Sequence, residues 1–494
     1  SSVWLRISCS SRPLRTHQRN RTNSTMTLAK ALVLFAPVLA GSAICSEGSC
    51  QAPGGPFRDD DSSFLQFAGW PSWGPAQKTD AAERRKQRLL ISKLPPSLRA
   101  EAGRMARERA PYSCPVQEDE CHMGDGEGCD LRRMPRGRVH SVYPGNGTAC
   151  LNSSAPYFFL VKPGHPEKLL ITLESGGACW DQDSFDRDRE DFGCTKEPAP
   201  ASWEGVLEFK NWRNPYHGYT MVRILYCSGD LHAGDTEMPW GPGGAMVQQR
   251  GYRNTQATLD WTLKQFPRLQ KLAILGYSAG ALGLQLWADS ILRQFEDRDA
   301  SAVVYQDSFA GILYPPGPAL AQMQAGINAM WKVCNEAFLF PEAQVACKAG
   351  QFTWQGYFAE TMQRHPHVGF AGVSSKGDFV QVAFNTFFYP GLTAEVYYRD
   401  ATLQYKEFAK NDNYRVYLLN GDEHWQLPWT TLNTATPLGA EAGEGQPALL
   451  EWVRAFEGPK GHPPGHVCVG DKANVTSMLE PPPSGTTWCD AAFV

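Results

Sequence analysis

Lys271-Leu272-Ala273-Ile274-Leu275-Gly276-Tyr277-Ser278-Ala279-Gly280-Ala281-Leu282-Gly283-Leu284-Gln285-Leu286-Trp287 is the stretch on which the fold turns. Residues 271–275 form a short apolar run suited to a buried strand, and residues 281–295 repeat apolar positions at helical spacing. Between them Gly276-Tyr277-Ser278-Ala279-Gly280 allows only a sharp turn, and its glycines avoid the clashes that side chains would make there. Such an elbow exposes the Ser278 hydroxyl at a helix N-terminus, where backbone amides favour developing negative charge. The pentapeptide alone says little in a chain rich in Gly and Ser; the strand-turn-helix setting makes Ser278 a candidate nucleophile rather than a surface serine on a glycine turn.

Upstream, Leu170-Ile171-Thr172-Leu173-Glu174-Ser175-Gly176-Gly177-Ala178-Cys179-Trp180 reads as a second strand ending in consecutive glycines. Adjacent glycines let backbone N–H groups approach a reacting carbonyl, so Gly176 and Gly177, with the amide of Ala279, are the candidate oxyanion hole; a plain tight turn is the alternative. In this arrangement the serine comes first and the histidine last, in a loop after the final strand. Residues 415–419 fit that strand and His424 follows it, whereas His462 and His466 lie in a Gly/Pro-rich tail and His365 and His367 precede the last two strands. The third member is open. Residues 379–384 read as the penultimate strand, and the residue after them is Asn385, which could orient an imidazole only through a neutral hydrogen bond. Asp307, at the carboxyl end of a strand over 302–305, is preferred, although a carboxylate there could equally cap the next turn.

Further strands are expected at 168–173 and 221–226, with an amphipathic helix over 252–266. Strands alternating with helices and no internal repeat give one α/β domain over 136–494, of the α/β-hydrolase type, with a mostly parallel sheet flanked by helices. Residues 44–135, rich in Pro, Gly and charge, read as a weakly ordered extension whose end is tied down through Cys114, Cys121 and Cys129. Residues 26–43 carry a lone lysine, an apolar run and small residues, the pattern of a signal peptide. Residues 1–25, basic and without an acid, are expected to be translated upstream sequence, or else a long basic flank of a signal anchor. Fourteen cysteines, mostly separated, point to disulfides and an extracytoplasmic route. Sequons at Asn146, Asn152 and Asn474 agree with that route. A net charge of −4 leaves no basic excess for phosphates, so nucleic acid is not expected as a partner. No apolar run approaches the roughly 20 residues of a spanning helix, so no stable membrane insertion is expected after signal cleavage.

Taken together these motifs resemble the pectin acetylesterase and Notum family of serine carboxylesterases. Leu173-Glu174-Ser175-Gly176-Gly177-Ala178-Cys179 is similar to the family's oxyanion strand, Tyr226-Cys227-Ser228-Gly229-Asp230 to its Tyr-Cys-Ser/Asp segment and Gly276-Tyr277-Ser278-Ala279-Gly280 to its elbow. Asp307-Ser308 resembles its Asp-Ser-Gly segment, with Phe309 in place of Gly. The resemblance runs over about residues 143–429 and implies a cofactor-free, metal-free esterase outside the cell or in the cell wall. Its substrate would be acetylated polysaccharide or another ester, including, in the Notum branch, a lipid ester of a secreted protein. It also implies disulfides Cys150–Cys227, Cys179–Cys194, Cys334–Cys347 and Cys468–Cys489. Asn385 departs from the family, which carries an aspartate near that position. Three other readings compete: a peptidase or lipase on the same fold, a catalytically silent carbohydrate-binding protein, and a metal hydrolase built on His232 and Asp235. Trp180, Trp203, Trp212 and Trp240 follow the early strands, where they could stack on sugars or serve as core or lid.

Overall fold

The computed structural model describes residues 45–46, 49–50, 118–124, 129–145, 147–187, 193–198, 202–311, 318–389, 392–419, 423–428, 432, 447–457 and 465–468. The chain divides into two compact units, 1–70 with 77–115, and 71–76 with 116–494. In the first, Cys45–Ser46 pairs antiparallel with Ser49–Cys50.

The second unit is built on a ten-stranded sheet. In chain order its strands are β1 (Glu118–His122), β2 (Val139–Tyr143), β3 (Phe159–Lys162), β4 (His165–Leu173), β5 (Tyr219–Ile224), β6 (Lys271–Tyr277), β7 (Ser301–Asp307), β8 (Gly369–Ser375), β9 (Tyr414–Leu419) and β10 (Val467–Cys468). They lie in the order β10-β9-β8-β7-β6-β4-β5-β3-β2-β1. From β10 to β5 every neighbour is parallel, and β3 is antiparallel to both β5 and β2. The crossover segments contain α1 (Gln182–Asp186), α2 (Gly251–Gln265), α3 (Ala279–Phe295), α4 (Pro318–Met330), α5 (Pro341–Lys348), α6 (Trp354–Arg364), α7 (Phe379–Asn385), α8 (Ala394–Ala409) and α9 (Leu449–Phe456). This is the α/β-hydrolase-like arrangement that the alternation of apolar runs predicts.

The strands bury both faces, and their side chains divide with period 2. Leu169, Ile171, Ile274, Val304 and Phe370 join one core with Leu284, Leu286 and Trp287 of α3. Leu170, Ala273, Leu275, Val303, Tyr305 and Ala371 join the other, which Leu449, Trp452, Val453 and Phe456 of α9 cover. Disulfides Cys150–Cys227, Cys179–Cys194 and Cys334–Cys347 are present as the resemblance implies, with Cys121–Cys129 in addition. Cys489 of the fourth implied pair, Cys468–Cys489, and sequons Asn146 and Asn474 lie outside the described residues; Asn152 donates its amide to Glu197.

Two expectations about elements are corrected. Residues 379–384 belong to helix α7, because Asp378 caps its start, accepting from the amides of Val380 and Gln381 at 3.1 and 3.0 Å. The parallel strand that precedes β9 is instead β8, whose sequence Gly-Phe-Ala-Gly-Val-Ser-Ser has few β-branched residues. Its small residues answer to packing: a Cβ on Gly372 would sit 2.2 Å from the Tyr414 hydroxyl. Strand β1 also falls within the segment expected to be a weakly ordered extension, pairing parallel with β2 at the sheet's edge.

Candidate active site

Ser278 stands at the end of β6 and heads helix α3 with φ 53° and ψ −121°, a positive φ that a non-glycine residue adopts only when its surroundings impose it. The flanking glycines show what imposes it. A Cβ on Gly276 would lie 2.3 Å from the Gly280 carbonyl oxygen, and one on Gly280 would lie 2.0 Å from that of Leu173. Helix α3 therefore packs directly on the end of β4, which brings the elbow and the Gly176-Gly177 turn together.

Gly177 has φ +69°, and a Cβ on Gly176 would strike the Tyr226 ring at 2.5 Å. The turn is fixed from several sides. Thr195 donates its amide to the Gly176 carbonyl, Cys179 donates to that of Gly229, and Cys179–Cys194 closes the loop covalently. Ala279 opens α3, so its amide belongs to the first helical turn, whose N–H groups have no intrahelical acceptor. Ser175, Gly176, Gly177, Ala178, Ser278, Ala279 and His424 line one cavity, whose remaining wall is largely apolar: Leu231, Leu282, Phe309, Val380, Phe384 and Trp425.

His424 follows β9. Its Nδ1 lies 2.9 and 2.8 Å from the two carboxylate oxygens of Asp378, and its Nε2 is buried with no hydrogen-bond partner among the described residues. Asp378 is fully buried and is held by the amides of Val380 and Gln381 and by Gln381 Nε2 at 2.7 Å. A carboxylate fixed in this way makes Nδ1 the protonated nitrogen and leaves Nε2 as the basic one.

Neither residue expected as the histidine's partner makes that contact. The Asn385 amide donates to Gln381 O, back along α7. Asp307 accepts instead from Ser308 Oγ at 2.7 Å and from the amides of Gln426 and Leu427, each at 2.9 Å or less to one oxygen. Ser308 Oγ in turn accepts from the Trp425 amide at 2.9 Å. Asp307-Ser308 thus anchors the loop that carries His424. Burial lifts the Asp307 carboxyl to about 6, although the hydrogen bonds from Ser308, Leu427 and Gln426 oppose the rise. Asp378 was missed because the run after it reads as a strand; the cue was Asp378 itself, an aspartate directly ahead of an apolar stretch and suited to a helix N-cap.

The residues suggested for a metal do not converge. His232 Nε2 donates to the Glu174 carbonyl at 2.9 Å, and burial pulls its imidazole down to about 4, so it is a neutral support beneath the Gly176-Gly177 turn. Asp235 accepts from Arg250 and Arg253. Of the tryptophans, Trp180 packs against Phe384 and Phe388 beside the cavity, Trp203 lies under Arg223, and Trp240 is buried near Phe185. Trp212 is exposed.

The fold is shared with solved structures. The Wnt deacylase Notum from Drosophila, in one crystal form, superimposes with a TM-score of 0.50 at 18% identity, over 66% of this chain and 95% of that one. A second crystal form of the same protein gives a TM-score of 0.46 at 18% identity, over 63% and 89%. No curated protein matches the sequence significantly. The family model described as pectinacetylesterase matches residues 139–391, from β2 through α7, just over half of the 494 residues. The chain belongs to the pectinacetylesterase family and is a carboxylic ester hydrolase.

Proposed function

We propose that this chain is a secreted serine carboxylesterase in which Ser278 is the nucleophile, His424 the general base and Asp378 the carboxylate that orients it. One observation carries the reading: a histidine with Nδ1 on a buried carboxylate, and with no partner for Nε2 among the described residues, borders the same cavity as a serine on a strained elbow. His424 takes the Ser278 proton as Oγ attacks the ester carbonyl, and Asp378 stabilises the imidazolium that forms. The amides around Gly176, Gly177 and Ala279 receive the oxyanion. The imidazolium protonates the leaving alcohol, and the same histidine then activates water to release the acid. The four disulfides among the described residues support an oxidising, extracellular location. No described helix is long and apolar enough to cross a membrane.

The family points to an acetyl ester on a polysaccharide as substrate. The apolar wall of Leu231, Leu282, Phe309, Val380 and Phe384 favours a second reading, a longer acyl chain, as in a lipid-ester deacylase. Hydrolysis of p-nitrophenyl acetate beside the palmitate ester, by wild type and Ser278→Ala, tests both. Acetate turnover that disappears in the variant is the expected result; palmitate preference would select the second reading. Turnover that survives in Ser278→Ala would remove the serine mechanism, and folded wild type inert on both esters would leave a binding protein.

A further inference from the structure

Among the buried charges that the esterase mechanism does not use, one group joins its separate parts. Glu174 directly precedes the Ser175-Gly176-Gly177 turn, Tyr277 directly precedes Ser278, and Arg223 lies on β5 beside β4. Arg223 grips Glu174 through two hydrogen bonds, Nε to Oε1 at 2.8 Å and Nη2 to Oε2 at 3.0 Å. Thr172 donates to Oε1 at 3.0 Å, and the Tyr277 hydroxyl donates to Oε2. Arg223 also lies over the Trp203 ring, 4.7 Å from its centroid. On the other side of Tyr277, its ring meets Trp425, the neighbour of His424, edge-on at 5.8 Å.

We propose that Tyr277 is a positioning residue for catalysis: by donating to Glu174 and packing on Trp425, it holds the serine elbow in register with the oxyanion turn and the histidine loop. The proposal rests on the reading of Ser278 as nucleophile. A buried ion pair is weak as a source of stability, because desolvating two charges offsets most of their attraction. Its worth here is geometric. The paired groups come from the carboxyl end of β4 and from β5 and β6; Glu174 immediately precedes the Ser175-Gly176-Gly177 turn, and Tyr277 immediately precedes Ser278. Burial opposes ionisation of Glu174, but the Arg223 charge and the three sets of hydrogen bonds hold its carboxyl below the usual range. Burial first, and Glu174 second, keep the Tyr277 phenol protonated and therefore a donor. Displacements on the order of 1 Å between nucleophile and oxyanion donors are enough to slow acyl transfer strongly. The polar link is specific to tyrosine: phenylalanine would keep the packing on Trp425 and lose the hold on Glu174.

The test is the single-turnover acylation rate with p-nitrophenyl acetate in Tyr277→Phe, expressed per active site titrated with a fluorophosphonate. Acylation per titrated site is expected to fall roughly tenfold with KM little changed, the size of a lost charge-assisted hydrogen bond expressed in the transition state. Glu174→Gln, which keeps the shape and weakens the same link, should fall similarly, and the double variant should lose no more than the larger single effect. A residue that only supports folding would lower the titratable fraction and Tm while leaving the rate per site within twofold of wild type, and that result in either variant overturns the proposal. Ser278→Ala run in parallel separates the two readings: activity lost there with Tyr277→Phe unaffected removes the positioning role alone, whereas activity kept in Ser278→Ala removes both.

Discussion

Three side chains at or beyond the carboxyl ends of β7 and β8 have three separate tasks. Asp378 meets the imidazole, Asp307 grips the backbone two and three residues beyond it, and Asn385 turns back into its own helix. Their substitutions should separate accordingly. Asp378→Asn removes the charge that stabilises the imidazolium and disturbs the tautomer, so kcat for p-nitrophenyl acetate should fall on the order of 10³- to 10⁴-fold. Asp307→Asn keeps one acceptor for the loop and should cost about tenfold through misplacement of His424. Equal losses from the two in steady-state assays would contradict this division. A third carboxyl, Asp230, is buried between Ser228 Oγ and the Gly251 amide, and burial raises it from 3.8 to about 7 against those hydrogen bonds. Because the folded value exceeds the unfolded one, the folded state binds more protons between those limits, and this group's contribution to stability falls as pH rises from about 4 to 7. Thermal unfolding should therefore show wild type gaining more over Asp230→Asn at pH 5 than at pH 8; an unchanged difference would place the Asp230 carboxyl outside that range.

Among the elements, the two glycine turns were legible because their chemistry is local. A strand that runs into Gly-x-Ser-x-Gly, and another that ends in Gly-Gly, announce themselves within about a dozen residues. The carboxylate loop did not, because β8 carries Gly, Ala and Ser at five of its seven positions, and Gly372 answers to contacts with Tyr405 and Tyr414 from α8 and β9 rather than to strand propensity. The same tertiary demand predicts that Gly280→Ala, whose methyl would meet the Leu173 carbonyl oxygen at 2.0 Å, abolishes activity by pushing α3 off β4. Covalent closure offers another check at this scale. Cys179–Cys194 spans 15 residues beside the oxyanion turn, and replacing both cysteines with alanine should cost about 3 kcal/mol in urea unfolding, by the chain-entropy argument. A shift well under 1 kcal/mol would show that the hydrogen bonds of Thr195 and Cys179 hold the turn without the bridge.

For the whole molecule, the candidate site lies in the unit that includes residues 116–494, and its sheet begins at β1, tied to the loop after it by Cys121–Cys129. A chain starting at residue 116 should retain esterase activity per titrated site close to that of the full chain. One starting at 136 removes β1, leaves β2 with an unpaired edge, and should show lower solubility at similar activity per site. Loss of all titratable sites on starting at 116 would show that the preceding residues are needed for folding.

What the sequence determined alone was whatever depends on neighbours in the chain: the alternation that makes a parallel α/β sheet, the elbow at Ser278, the glycine turn at 176–177, and a histidine after the last long strand. What only the tertiary structure decided was which distant groups meet. Asp378 reaches His424 because β8 and β9 are adjacent and parallel, which brings the loops at their carboxyl ends together. Glu174, Arg223 and Tyr277 meet because β4 lies between β5 and β6. Strand order is set by how two buried cores close over both faces of the sheet, a property of the whole chain that no local run of residues contains.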